Sequence, residues 1–173
     1  MLPDFGPNLQ MAFVVPNLDA AIAHWVNVQG VGPFHVMRHC AVSNAVYRGG
    51  QPVEVDFGVA IAQMGGVQVE LIEQYCDTPS AYRDVYARGE GGFHHTCVVV
   101  PDLEAAIAHY ATQGAPLAIR GDFGTVRWAY IDTRAQLGCM TELVGENPDI
   151  RAFFKLIADS AVGWDGTNPV REM

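Results

Sequence analysis

The chain has 173 residues, half of them hydrophobic and 17% charged, with 19 acidic against 10 basic side chains and a net charge of −9. That is enough apolar material for one domain or two small fused modules, and too much for a disordered chain. The acidic field argues against a nucleic-acid partner, and no apolar run approaches the ~18 residues of a membrane span. MLPDFGPNLQ at the start has no basic region followed by an apolar stretch, so no secretory leader is expected there. Cys40, Cys76, Cys97 and Cys139 show no C-x-x-C spacing and read as reduced thiols of a cytoplasmic protein.

In chain order, MAFVV (11–15) is a short β-branched strand signal that a proline stops. Asn17 is a helix N-cap, Asp19 sits at the positive end of the helix, and Leu18, Ala21, Ile22 and Trp25 have helical spacing. Gly30 is a suitable stop. Strand signals follow at 34–37, 53–63 and 67–74, with a Gly-rich excursion at 38–52 between the first two. Residues 77–90 read as a linker with one short helix capped by Ser80. The pattern then starts again. TCVVV (96–100) is a strand, and VVPDLEAAIAHY (99–110) matches VVPNLDAAIAHW (14–25) at nine of twelve positions, an offset of 85 residues. Asp102 takes the place of Asn17 as cap, Glu104 that of Asp19, and Gly114 is the second stop. Strands at 117–120, 126–133 and 139–146 complete the second copy, with a loop at 134–138. Asn147 and Pro148 open a last helix to 161 with the stripe Ile150, Phe153, Phe154, Ile157, and the tail 162–173 is expected to be irregular. The fold class is therefore α+β, a duplicated βαβββ module: module 1 at 8–76, module 2 at 91–146, together one domain over 8–146, then a C-terminal helix and tail at 147–173.

The repeat places chemistry. With the offset of 85, Gln10 falls on His95, and the strands VQVELIEQ and CMTELVGE place Glu70 opposite Glu142. If equivalent inner faces meet across a pseudo-twofold axis, Gln10, Glu70, His95 and Glu142 converge, and two carboxylates, an amide oxygen and an imidazole suit a divalent cation. The other reading is a pair of acids stranded in a sheet concavity with raised pKa values. His94 is expected on the opposite sheet face from His95, and Glu73 and Glu146 at solvated strand ends. His24 and His109 are read as helix-surface residues. Arginine outnumbers lysine nine to one, a bias that suits planar recognition of carboxylate or phosphate, and Arg127, Tyr47 and Trp128 are the substrate-contact candidates, with Arg38 and Arg48 behind them. Phe57 and Tyr130 are candidates for an apolar pocket, and Trp164 for its cap.

The duplicated βαβββ pattern, the G-x-x-HH-x5-PDLE-x-A segment from Gly91 to Ala106 and the paired EL strands resemble the vicinal oxygen chelate superfamily, which includes glyoxalase I, methylmalonyl-CoA epimerase, extradiol dioxygenases and bleomycin- or fosfomycin-resistance proteins. The resemblance spans roughly 8–146 and implies a cupped mixed β-sheet around one divalent metal ion (Zn, Mn, Co, Ni, Fe or Mg), often in a homodimer. Its metal positions map onto Gln10, Glu70, His95 and Glu142, a set similar to that of glyoxalase I and of methylmalonyl-CoA epimerase. It implies an isomerase, epimerase or lyase acting on a small, anionic or CoA-linked substrate, with Glu142 and Glu70 as the catalytic acid–base pair. The alternatives are a non-catalytic, resistance-type binding protein and a ring-cleaving dioxygenase. Gln10 stands where the dioxygenases need a histidine, and Gly91 stands where an arginine would serve a glutathione substrate.

Overall fold

The computed structural model describes residues 6–173; the first five residues, part of the stretch read as leader-free, lie outside them. The first half of the chain forms β1 (Asn8–Val14), α1 (Leu18–Gln29), β2 (Phe34–Met37), β3 (Ser43–Tyr47), β4 (Phe57–Met64) and β5 (Val67–Gln74). The second forms β6 (Gly92–Val100), α2 (Leu103–Thr112), β7 (Leu117–Phe123), β8 (Val126–Ile131), α3 (Arg134–Leu137), β9 (Met140–Gly145), α4 (Pro148–Ala161) and β10 (Val170–Glu172). The helices start where their caps dictate. Asn17 and Asp102 accept hydrogen bonds from Ala20 N and Ala105 N, and Asn147 accepts one from Asp149 N. Gly30 ends α1 in the left-handed conformation at φ 66°, which a Cβ would disfavour.

All ten strands join one mixed sheet in the order β10-β2-β4-β5-β1-β6-β9-β8-β7-β3. The two copies meet where β1 runs antiparallel to β6, and each then pairs in parallel with the last strand of its own copy, β1 with β5 and β6 with β9. The copies therefore pair within one chain. Strand alternation divides the apolar residues into three clusters. Leu18 and Ile22 of α1 cover Val69 and Leu71 on the outer face of the first half, while Leu103 and Ala106 of α2 cover Ala129, Ile131 and Leu143 on that of the second. The inner face is one continuous cluster from both halves, including Ile61, Ile72, Val99, Trp128 and Val144, and α4 lies over it with Ile150 and Ile157.

Four sequence expectations are corrected, the first being the 134–138 loop, where Arg134–Leu137 form the one-turn helix α3. The 38–52 excursion contains β3, which crosses to pair with β7 at the far edge of the second half. The tail is not wholly irregular, since β10 pairs in parallel with β2 at the other edge. The 77–90 segment contains turns rather than a helix; Ser80 still acts as a cap, its Oγ accepting from Tyr82 N and Arg83 N and donating to Gln74. A single turn makes too few backbone bonds to propagate. Among the described residues no helix is long and apolar enough to cross a membrane.

Candidate metal centre and cavity

β5, β1, β6 and β9 are four adjacent strands at the middle of the sheet, and each contributes one residue of the repeat-derived set. Ala12 is in register with both Glu70 and His95, and Cys97 with both Gln10 and Glu142. Gln10, Glu70 and His95 are buried, and the Glu142 side chain is only 12% exposed. Glu70, His95 and Glu142 bring one ligand atom each to within 4.8 Å of one another. Gln10 lies beside them, its amide nitrogen donating to Gln68 Oε1 at 3.2 Å, and it lines the same cavity as the two glutamates.

His94 is not on the opposite face. The β1–β6 register slips between Ala12/His95 and Phe13/Phe93, so His94 is the extra residue of a β-bulge, and the bulge turns it to the same side as His95. A second slip, between Asn8/Val98 and Gln10/Cys97, makes Leu9 the extra residue ahead of Gln10. Leu9 and His94 are related by the same offset of 85 that relates Gln10 to His95. The bulge is duplicated with the module.

The bulge fixes the protonation of His95. His94 Nε2 lies 3.0 Å from the carbonyl oxygen of Ala81, which can only accept, so that nitrogen carries its proton. Burial, reinforced by His95, pushes His94 down to about 3 and keeps the ring neutral, which leaves Nδ1 as an acceptor. His95 Nδ1, 2.9 Å away, must donate to it. The other nitrogen of His95, Nε2, then points between two carboxylates, 3.2 Å from Glu70 Oε2 and 3.3 Å from Glu142 Oε2. Neither contact has hydrogen-bond geometry, and both His95 Nε2 and Glu70 Oε2 are buried without a hydrogen-bond partner. Such orphans are costly. Two atoms bound to one ion at about 2.1 Å, roughly 90–110° apart, stand about 3.0–3.4 Å from each other, and the observed separations fall in that span. The donors therefore fit a divalent cation. In its absence burial alone would pull His95 down, but the Glu142 and Glu70 carboxylates outweigh it and raise the ring to about 9. Burial pushes the Glu70 carboxyl up, His95 opposes the shift, and Glu142 adds to it.

Above the donors is a cavity of about 450 Å³ between the inner face of the sheet and α4. Trp128 and Tyr130 line it, as does Phe57. Tyr130 packs against His95 with ring centroids 4.7 Å apart, and its hydroxyl lies 3.3 Å from that of Tyr82. Burial pushes both phenols well above their ordinary pKa, so they remain neutral donors.

Other candidates lie elsewhere. Arg127 precedes Trp128 on β8, so alternation sends it to the outer face, where it pairs with Glu104 of α2. Arg127 and Trp128 cannot both face the cavity. Tyr47 is also absent from the lining; its hydroxyl donates to Asp84 at 2.6 Å beneath Arg48, which pairs with Asp84 and Asp132. Arg38 pairs with Asp19 and Glu172. The arginine excess thus serves ion pairs that tie segments together. Trp164 packs over Gly32 rather than over the cavity, with its indole N–H donating to Thr167 O. Glu73 is no idle strand end, since it accepts from Leu18 N at 2.6 Å and supplements the α1 cap, while Glu146 pairs with Arg151. Gly91 is explained as well, because a Cβ there would lie 2.4 Å from the Val14 carbonyl oxygen. Tyr82 was missed by the sequence reading. It comes from a segment without periodicity, and the cap signal of Ser80 was its only clue.

The sequence profile of the Glyoxalase/Bleomycin resistance protein/Dioxygenase superfamily matches residues 9–130. The chain belongs to that superfamily. The matched span holds Gln10, Glu70 and His95, and Glu142 lies beyond it on β9. No curated protein is a significant match. Among solved structures, methylmalonyl-CoA epimerase from Mycobacterium tuberculosis is 18% identical with a TM-score of 0.55, covering 88% of this chain and 97% of that one. A variant of the Streptomyces coelicolor methylmalonyl-CoA epimerase in complex with 2-nitronate-propionyl-CoA is 18% identical with a TM-score of 0.54, covering 83% and 99%. A hypothetical protein of Bacillus halodurans is 16% identical with a TM-score of 0.54, covering 82% and 94%. At these identities the likeness is one of fold. The superfamily fold here carries a C-terminal helix across the open face of its sheet.

Proposed function

We propose that the protein is a metal-dependent enzyme of the isomerase, epimerase or lyase type, moving a proton at the carbon beside a carbonyl group. The observation that carries this reading is the buried triad, in which His95 Nε2 and Glu70 Oε2 stand 3.2 Å apart with no hydrogen-bond partner, beside a cavity that Glu70 and Glu142 line. Glu70, His95 and Glu142 would hold the ion, with Gln10 as the fourth donor. The bound ion supplies Lewis-acid polarisation of the substrate carbonyl, which acidifies the neighbouring C–H.

The chain's own residues do the rest. His94 holds His95 in the tautomer whose Nε2 is free. Glu142 would take the proton and Glu70, its repeat-equivalent, would return it. Tyr82 and Tyr130 offer hydroxyl donors beside the developing oxyanion. α4 and the aromatic wall exclude water.

The test has two parts. Elemental analysis of tag-free protein should find about one divalent ion per chain, and the Glu70→Ala/Glu142→Ala variant should lose it. Glu142→Gln should fold normally and stop solvent-deuterium exchange into a bound hydroxyketone; full exchange in that variant would remove Glu142 as the base. A metal-free wild-type protein, even after reconstitution, would instead support a binding protein that uses the apolar cavity to hold its ligand.

A further inference from the structure

The cavity carries its polar groups at the sheet end and at the mouth, with apolar walls between. Gln10, Glu70, Glu142 and the Tyr82 and Tyr130 hydroxyls cluster at the sheet, and beyond them the walls are Phe57, Ile61, Trp128, Val144, Phe153 and Phe154. Among the described residues, the charged side chains in the lining are Glu70, Glu142 and Asp149, all acidic, with no lysine, arginine or histidine. The mouth repeats that pattern. It is framed by the exposed β7–β8 turn with Phe123 and Thr125, and by Asp149 in the first turn of α4, which accepts from the Thr125 hydroxyl. Asp149 and the Asn147 cap thus already serve the helix terminus that would otherwise attract an anion. The basic residues that adjoin lining positions in sequence are engaged with other groups: Arg127 with Glu104, Arg151 with Glu146, Lys155 with Asp159, Arg38 with Asp19 and Glu172, and Arg83 with the Gln74 and Cys76 carbonyls. At about 450 Å³ the space stands in the lower half of the ~300–1,000 Å³ range of small-molecule sites.

Resting on the metal-site reading only for the orientation of the carbonyl, we infer that the substrate is an uncharged hydrophobic ketone or aldehyde, its body against the aromatic wall and its oxygen toward the triad. A substrate with negative groups along these walls is a poor fit: away from the triad they would meet no cation among the described lining residues and would face Asp149. The neutral aromatic body gains from desolvation and from edge contacts with Phe57, Trp128, Phe153 and Phe154.

The discriminating experiment compares 2-hydroxyacetophenone with 4-(2-hydroxyacetyl)benzoate, which adds one ring carboxylate, by calorimetric titration of metal-free and Mn-loaded full-length protein. The uncharged compound should bind at least about tenfold more tightly in both forms. Phe154→Ala should weaken it about tenfold, and Phe154→Arg should reverse the preference. Equal or tighter binding of the carboxylate, or of acetyl-CoA, by the wild type would overturn the inference, as would no binding of the uncharged ketone at its solubility limit. The two readings fail separately. Preference for the uncharged ketone without Mn uptake leaves the substrate class standing and removes the metal; Mn uptake with preference for the carboxylate does the reverse.

Discussion

Replacing His94 by Phe keeps a ring in the bulge and removes both of its hydrogen bonds, to Ala81 O at 3.0 Å and to His95 Nδ1 at 2.9 Å. Both partners are buried, so the substitution leaves one carbonyl and one N–H without a partner, each costing about 1–3 kcal/mol. The metal-free protein should therefore lose about 2–6 kcal/mol of folding stability. His95 would also be free to place its proton on Nε2, and loss of such an outer partner lowers metal affinity by about 10–100-fold. His94→Asn is the counterpart, because its amide oxygen keeps an acceptor toward His95 Nδ1 while the Ala81 bond is lost. Its metal affinity should stay within about threefold of wild type, with a stability loss of about 1–3 kcal/mol. Guanidinium denaturation of the metal-free proteins gives the first quantity, and competition with a chromophoric chelator at neutral pH gives the second. If the Phe variant binds metal like the wild type, or the Asn variant loses as much affinity as Phe, the tautomer argument is wrong.

Arg127→Ala should leave ligand affinity unchanged and cost about 0–1 kcal/mol, since its partner Glu104 is more than half exposed; a large rise in KM would return Arg127 to the substrate. Asp132, held well below the usual carboxylate range by the Arg134 guanidinium with help from Arg48, joins β8, α3 and the 48–52 segment. A depressed folded-state pKa contributes stability above the unfolded value of about 4 and loses it as pH falls through the folded one. Asp132→Asn should therefore cost about 1–3 kcal/mol at neutral pH in urea denaturation, and the gap should close in acid; a pH-independent gap would point to packing instead. Ile157→Ala, at a fully buried position on the sheet-facing side of α4, should cost about 2–4 kcal/mol and loosen the cavity roof, read as weaker binding of 2-hydroxyacetophenone.

The fold was legible because duplication supplied an internal comparison. Asn17 and Asp102, Gly30, and the Leu18/Ile22 and Leu103/Ala106 pairs carry local signals that tertiary packing did not override. The meeting of Glu70, His95 and Glu142 followed from the same symmetry plus strand alternation. Where alternation was interrupted, at the bulges holding Leu9 and His94, the reading put His94 on the wrong face, since nothing in a two-residue period announces an inserted residue. The strands β3 and β10 were unreadable for a different reason. SNAVY and VRE have little apolar pattern of their own and become strands by docking on edges already formed by β7 and β2. Arg127 was misassigned by residue type alone; its parity with Trp128 would have been the better guide.

Those two edges have a consequence in time. β2 gains its outer neighbour from residues 170–172, and β7 gains its own from the opposite half of the chain. Both closures are long-range, so they carry a large loop-closure cost and must follow the local hairpins β4–β5 and β7–β8. Until they form, a folding chain displays two unpaired borders with the strand-like runs FHVM and LAIRGDF at them. Unpaired borders recruit other strands. Yield in this protein should therefore be governed by how fast the ends of its sheet are covered rather than by how firmly its centre is packed, and chain shortened before residue 170 should aggregate during refolding even when its metal donors are intact.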